Sequence, residues 1–390
     1  MRPSAALAPL FRRPGALALA ACIAALAPPA VTAGVPASYA TGSQAFVAEQ
    51  AQRLGYSAED LATLMAAARY RQDIIDAMNR PYEAKPWRDY RRIFLTPARI
   101  DAGVAFRREH AALLDKAELT YGVPAEVITA IVGIETNYGA NVGRHRVLDA
   151  LSTLGFAYPS RADFFSKELG EFLLLAREEQ VDPRTAVGSY AGAVGLPQFI
   201  PSSYRAYAVD FDDDGRRDLW GSDADVVGSV GNYLAMHGWQ RGAPIAARAT
   251  LTDGVPTGIP VAGKRPALPQ ESLAQLGAAG VVPAAGALAD SPPADARVAL
   301  LELDGDGPEY WLGFENFYAI TRYNQSNLYA MAVFQLSREI AAGSVPGPVQ
   351  GPVQDSVQGP AQSSAQGPAL SPAQGSGQDS ARQVADDAAG

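Results

Sequence analysis

The stretch VPAEVITAIVGIETNYG, residues 123–139, decides how this chain is read. Pro124 sits where a helix tolerates proline, in its first turn, because the amide there has no intrahelical partner. Ile128, Ile131 and Val132 then recur at helical spacing and form one apolar stripe. Glu135 falls on the same stripe, four residues after Ile131 and three after Val132. A carboxyl on a core-facing stripe is costly unless it is paired or opens into a cleft. Desolvation raises its pKa, which suits a group that must meet its substrate protonated and act as a general acid. Asn137-Tyr138-Gly139 predicts the helix end, with Gly139 as terminator. Glu135 then lies in the last turn, where the negative end of the helix dipole raises its pKa further. The competing reading is a helix-end glutamate paired with a nearby arginine, because structural ion pairs also perturb pKa values.

Outward from this segment, residues 43–122 read as helices. Ser57-Ala58-Glu59-Asp60, ahead of Leu61, Leu64 and Met65, is a helix start with Ser57 as N-cap. Residues 123–243 are mostly helical, broken by glycine-rich loops. Residues 244–315 change character: Val298–Leu303 and Tyr310–Phe314 are β-prone and flank Asp304-Gly-Asp-Gly307, a hairpin turn, while 273–280 predicts a short helix. Within 316–343 a last helix, roughly Ser326 to Ile340, returns to the helical core. The expected fold class is mainly α (α+β), a helical protein with a small β-containing insertion. Residues 258–264 nearly spell a phosphate loop, but Arg265 replaces the Ser/Thr and Pro260 interrupts it, so nucleotide binding is excluded there. The chain holds no Gly-x-Ser-x-Gly elbow.

The ends differ from the middle. Residues 1–33 carry Arg2, Arg12 and Arg13 and no acid, then an apolar run from Gly15 to Leu26, then Val31-Thr32-Ala33. This is the layout of an export signal, with an apolar stretch too short to span a bilayer comfortably. Its removal takes the net charge of this 390-residue chain from -9 to -12, the opposite of a phosphate-backbone binder, so no nucleic-acid partner is expected. The one cysteine, Cys22, excludes an internal disulfide and a thiolate zinc cluster. Leu19-Ala20-Ala21-Cys22 resembles a bacterial lipobox. Two outcomes stay open: Cys22 is lipidated and anchors the protein to a membrane, or it leaves with the signal. Residues 344–390 repeat Gln every four residues from Gln350 to Gln366 among Pro, Gly and Ser, without aromatics, and read as a disordered tail.

A second cluster of chemistry lies in Asp210-Phe-Asp212-Asp-Asp214-Gly215-Arg-Arg-Asp218. Acids at loop positions 1, 3, 5 and 9 with glycine at 6 follow the EF-hand spacing, and position 7 offers the Arg216 carbonyl. Position 12 is Gly221, so the bidentate glutamate is missing and Asp225 or Asp223 must supply the late ligand. Clustered acids repel strongly without a cation, which favours calcium over a merely solvated acidic turn. Its role is expected to be structural.

Four ordered motifs carry a resemblance. Gly133-Ile-Glu135-Thr-Asn-Tyr-Gly139 is similar to the glutamate motif of lysozyme-like lytic transglycosylases. Gly188-Ser-Tyr-Ala-Gly-Ala-Val-Gly-Leu-Pro-Gln198-Phe-Ile-Pro-Ser-Ser-Tyr204 is similar to their second motif. Gly228-Ser-Val-Gly-Asn232-Tyr233 with His237-Gly-Trp239 follows, then 316–331, which includes Arg322-Tyr323-Asn324 and Tyr329. Together they resemble the membrane-bound lytic murein transglycosylase B family, from about Ser43 to Ile340.

The resemblance implies a lysozyme-like catalytic core over 123–243 and cleavage of the β-1,4 bond between N-acetylmuramic acid and N-acetylglucosamine in peptidoglycan. Glu135 would protonate the leaving oxygen. It would then take the proton of the muramoyl C6 hydroxyl, which closes on C1 to a 1,6-anhydro end without water. Ser189, Gln198, Tyr233, Tyr323, Asn324 and Tyr329 match residues that line the glycan cleft, and Tyr90 matches an outer aromatic contact. Asp225 is favoured as the late calcium ligand beside Asp210, Asp212, Asp214 and Arg216. No cofactor is expected for the chemistry. The expected protein is a periplasmic monomer acting on glycan strands, with outer-membrane attachment if Cys22 is lipidated. Two other readings remain, a muramidase that admits water and a non-catalytic, calcium-stabilised glycan binder.

Overall fold

The computed structural model describes residues 34–79 and 85–344. The expected export signal with Cys22 and the expected tail from 345 onward lie outside the described residues. Six helices come first: α1 (Ala37–Leu54), α2 (Ala58–Ala66), α3 (Gln72–Met78), α4 (Trp87–Phe94), α5 (Pro97–Glu109) and α6 (Ala111–Tyr121). The central group is α7 (Ala125–Thr136), β1 (His145–Arg146), α8 (Val147–Ala157), α9 (Ala162–Glu178), β2 (Val187–Gly188), α10 (Pro201–Tyr207) and α11 (Asp223–Met236). Then come β3 (Ala246–Leu251), β4 (Val261–Ala262), β5 (Glu271–Ser272), α12 (Leu273–Ala278), β6 (Val281–Pro283), β7 (Arg297–Asp304) and β8 (Pro308–Phe314). The last two helices are α13 (Glu315–Tyr323) and α14 (Asn327–Ser344). From Pro36 the described chain forms one compact unit.

Local chemistry explains these boundaries. Ser57 Oγ accepts from the Asp60 amide at 2.9 Å, the N-cap expected for α2. The first helix begins at Ala37, earlier than residue 43, because Pro36 pre-sets the backbone angle just before it (φ -62°). Two further boundaries differ from expectation. The helix carrying Glu135 ends at Thr136, and Asn137 rather than Gly139 is the first left-handed residue (φ 52°). Tyr138 and Gly139 follow at φ 57° and 87°. That reversal folds Tyr138 back over its own helix, where its hydroxyl donates to the Arg99 carbonyl at 3.1 Å. The second difference is α13, a helix ahead of α14. Its β-branched and aromatic residues give weak helix propensity, and Asn324 in extended geometry separates the two.

The sheet runs β4-β7-β8-β3-β6, with β5 also paired to β7. β7 and β8 form the expected antiparallel hairpin, in register from Val298–Phe314 to Asp304–Pro308. Strand alternation explains why β7 is apolar on both faces. Ala299, Leu301 and Leu303 join the main helical core. Val298 and Leu300 join a smaller core with Ala247, Leu276, Val281 and Leu312. The insertion is thereby fastened to the helices rather than hung from them. Its turn acids meet α4: Arg88 bonds Asp304 at 2.8 Å, and Arg91 bonds Asp306 at 3.1 Å. Asn316, at the head of α13, bonds the backbone of Gln240 and Ala243, fixing the return of the chain. The helix α7 is buried at every residue but Glu126 and packs against α14. Burial of each large side chain such as Ile128 or Ile131 contributes about 1.5–3 kcal/mol, enough to hold a helix that also buries a glutamate.

Candidate active site

Glu135 is 8% exposed, at the end of a helix whose other residues, Glu126 apart, are buried. Its Oε1 accepts a hydrogen bond from the Tyr329 hydroxyl at 2.6 Å, contributed by α14. Burial pushes the Glu135 carboxyl up to about 8, and the Tyr329 hydrogen bond offsets part of that rise. No arginine is bonded to Glu135 among the described residues, so the ion-pair reading is not the one the fold adopts. The carboxyl is protonated at neutral pH and has a hydroxyl beside it to stabilise the ion once it forms.

The segment after Glu135 joins the second motif. Thr136 Oγ1 donates to the Leu196 carbonyl at 3.0 Å. Gln198, in a left-handed conformation, donates from Nε2 to the carbonyls of Gly195 at 2.8 Å and Val142 at 3.2 Å. Gly143 lies so close to Gly188 that a Cβ would sit 2.1 Å from the Gly188 carbonyl oxygen, which explains the need for glycine there. The β1–β2 pair, with His145 opposite Gly188, fastens the same two segments. Ser189 is fully buried, and its Oγ accepts from the Ala193 amide at 3.0 Å, closing the tight 189–193 turn.

An aromatic run leads up to the carboxyl. Tyr323 lies parallel to Tyr329, with ring centres 6.3 Å apart, and meets Tyr233 edge-on at 4.8 Å. The Tyr323 hydroxyl donates to the Pro197 carbonyl at 2.5 Å, and that of Tyr233 to the Arg322 carbonyl at 2.6 Å. Burial, then the charge of Glu135, holds the Tyr323 and Tyr329 hydroxyls well above the ordinary range, so both remain donors. Asn324 is buried, and its Oδ1 has no hydrogen-bond partner among the described residues.

The structure therefore brings Glu135, Tyr329, Tyr323, Tyr233, Asn324 and Gln198 into one neighbourhood. Tyr90 is placed differently from an outer aromatic. It is fully buried beside Trp87 and Phe94 and reaches Tyr329 electrostatically. Sequence reasoning missed Thr136, Phe199 and Tyr207. Phe199 packs against both Tyr233 and Tyr323, and Tyr207 against Tyr233. The first two stand inside quoted motifs, next to Glu135 and Gln198, and that adjacency was the available signal.

The acidic loop folds around a converging centre. One carboxylate oxygen from each of Asp210, Asp212 and Asp214 lies within 4.8 Å of the others. Asp213 and Gly215, at φ 61° and 90°, supply the sharp turn. Three hard carboxylate oxygens brought together in this way fit a calcium ion. Asp225 is fully buried and ties the loop's two ends: Phe211 N and Asp218 N each donate to it at 2.7 Å. The Arg216 amide donates to Asp214, and Asp218 accepts from the amides of Trp220 and Gly221. The loop is also laced to the active segment, with Leu196 N donating to the Leu219 carbonyl at 3.0 Å and Trp220 Nε1 to the Val187 carbonyl at 3.1 Å.

Comparison with known proteins places the chain in a family. The transglycosylase SLT domain matches residues 38–338. The membrane-bound lytic murein transglycosylase B of Escherichia coli strain K12 is 41% identical over 315 residues, which cover 78% of this chain and 83% of that protein. Among solved structures, the soluble lytic transglycosylase SltB1 of Pseudomonas aeruginosa is 49% identical, with TM-score 0.71 over 77% of this chain and 98% of its own. The Escherichia coli lytic transglycosylase Slt35 in complex with calcium is 41% identical, with TM-score 0.70 over 78% and 94%. SltB3 of Pseudomonas aeruginosa in complex with NAG-anhNAM-pentapeptide is 30% identical, with TM-score 0.68 over 79% and 81%. The chain belongs to the transglycosylase SLT family, that of the lytic murein transglycosylases.

Proposed function

We propose that this lytic transglycosylase cleaves the β-1,4 bond between N-acetylmuramic acid and N-acetylglucosamine with Glu135 as its single acid and base. The observation that carries the reading is the carboxyl itself, buried, held up to about 8 and bonded to Tyr329. Protonated at neutral pH, Glu135 gives its proton to the glycosidic oxygen as the bond to muramoyl C1 breaks. The carboxylate left behind is stabilised by the Tyr329 hydroxyl. It takes the proton of the C6 hydroxyl as that oxygen bonds to C1, forming the 1,6-anhydro ring and regenerating the acid. The nucleophile comes from the substrate, so no second carboxylate is required, an exception to the two-carboxylate scheme.

The remaining site residues take roles their placement supports. Tyr233, Tyr323 and Tyr329 offer ring faces and hydroxyl rims, the lining that sugars suit. Asn324 Oδ1 accepts an amide N–H of the glycan. Gln198 and Ser189 hold the turns of the second motif, and Tyr90, buried, acts on Tyr329 through its charge environment. Asp210, Asp212, Asp214, the Arg216 carbonyl and Asp225 serve a structural calcium, as the calcium complex of Slt35 favours. Export to the periplasm, with outer-membrane attachment through Cys22, agrees with the membrane-bound relative.

Glu135→Gln tests the site. Lysis of sacculi is expected to fall by about 10²-fold or more, with folding retained. Undiminished lysis would remove Glu135 from the mechanism.

A further inference from the structure

Glu168, on α9, is a second buried carboxyl, 5% exposed, that the proposed chemistry does not use. Both of its oxygens are taken by one residue. Oε2 accepts the Ser202 amide at 2.9 Å, and Oε1 accepts the Ser202 hydroxyl at 2.7 Å. Ser202 is the second residue of α10, and Ile200, just before that helix, has no polar side chain to take its free amides. Glu168 therefore does from a neighbouring helix what an N-cap does locally. The segment that it anchors supports the proposed site. Phe199, three residues before Ser202, packs against Tyr233 and Tyr323, with ring centres 5.4 and 5.6 Å apart. Pro197 accepts the Tyr323 hydroxyl, and the Phe199 carbonyl accepts the Val194 amide at 2.8 Å.

Burial raises the Glu168 carboxyl to about 6, and both Ser202 hydrogen bonds offset part of that rise. Among the described residues, two charges act on it: Glu171 on α9, which disfavours the ion, and Arg161, just before α9, which favours it. Glu171 is itself paired with Arg205 of α10 and Arg53 of α1. Of the other charges on the elements packed here, Asp163 and Lys167 of α9 and Glu49 of α1 are exposed, and Asp149 of α8 is paired with Arg146.

We propose that Glu168 is a positioning residue: through Ser202 its carboxylate holds the 195–200 segment where Phe199 seats Tyr233 and Tyr323, and its protonation slackens that hold. The ion is the better acceptor, because charged hydrogen bonds are roughly twice as strong as neutral ones. A protonated carboxyl turns one of its two acceptors into a donor, so the paired grip on Ser202 is lost. The inference rests on the reading of Glu135 as the acid and adds a lower limb to its pH dependence. Glu135 must carry its proton, and Glu168 must have lost its own. Ionisation of Glu168 also costs stability. Its folded value of about 6 exceeds the ordinary 4.5, so its contribution is full below 4.5 and is lost as pH rises through 6.

The test follows turnover of soluble glycan strands by the full chain from about pH 4.5 to about pH 9, as wild type, Glu168→Gln and Ser202→Ala, with melting of each at about pH 8. Wild-type kcat falls about threefold or more between about pH 7 and about pH 5. Glu168→Gln runs at about that lowered rate across the same range, keeps the upper limb at about 8 and melts no lower than wild type at about pH 8, so activity falls without stability. Ser202→Ala removes one bond to the ion and moves the lower limb to higher pH. The proposal is overturned by wild-type turnover in Glu168→Gln at about pH 7, by an unchanged lower limb in that variant, or by a loss of melting temperature that parallels the loss of rate. The upper limb, read in the same profiles, reports Glu135 alone, so its absence counts against that reading and not against Glu168.

Discussion

Glu135 combines two opposing requirements in one carboxyl. Burial keeps its proton on at neutral pH, and the Tyr329 hydroxyl keeps the ion accessible once the proton has left. The kinetic consequence is an activity limb that falls as pH rises through about 8, where the acid is lost. Tyr329→Phe removes a hydrogen bond that favours the ion. The limb should move to higher pH while kcat drops about tenfold or more, read from a pH–rate profile of the two enzymes. Stability carries the same signature. The folded pKa of about 8 exceeds the ordinary 4.5, so the group's contribution is full below 4.5 and is lost as pH rises through 8. Glu135→Gln should therefore melt above wild type at about pH 9 and close to it at about pH 4.5. At this scale the sequence was informative where period and chemistry conflict, as with an acid on an apolar stripe. It was silent where a contact spans 194 residues, as between Glu135 and Tyr329.

Helix ends and loops place these residues. The helix α7 closes with Asn137 and Tyr138 in left-handed geometry, and a Cβ on Gly133 would stand 2.4 Å from the Tyr138 hydroxyl. Gly133→Ala should cost about 1–3 kcal/mol in denaturant unfolding and lower activity through displacement of the adjacent turn. The acidic loop makes a separate prediction. Excess calcium should raise Tm by about 5 °C or more, chelator should reverse it, and Asp212→Asn should shrink the shift. Absence of any calcium-dependent shift counts against Asp210, Asp212 and Asp214 as ligands. Elements with strong local signals, such as the Ser57 cap and the Asp304–Gly307 turn, were legible in the sequence. The α13 helix was not, because its helical state is set by packing against the core and by Asn316, not by propensity.

Across the whole molecule, one core runs from Phe46 on α1 to Ile340 on α14 and takes in one face of β7. The proposed active site draws on α7, the 195–198 segment and the last two helices, so it requires both ends of the fold to have met. Met331, two residues past Tyr329 on α14, is fully buried in that core. Met331→Ala should cost about 2–5 kcal/mol and reduce activity with stability, by denaturant titration and turnover on one sample. The order of the motifs made this assembly legible from sequence. What the motifs did not disclose is how the β insertion is fixed, through Asn327, to the turn that carries Tyr329. The central claim, that one carboxyl works with the substrate's own hydroxyl, is tested most directly by digesting sacculi in ¹⁸O-labelled water and weighing the muropeptides. The account predicts 1,6-anhydro ends free of the label, absent from the Glu135→Gln digest. Reducing ends carrying one ¹⁸O atom would contradict it.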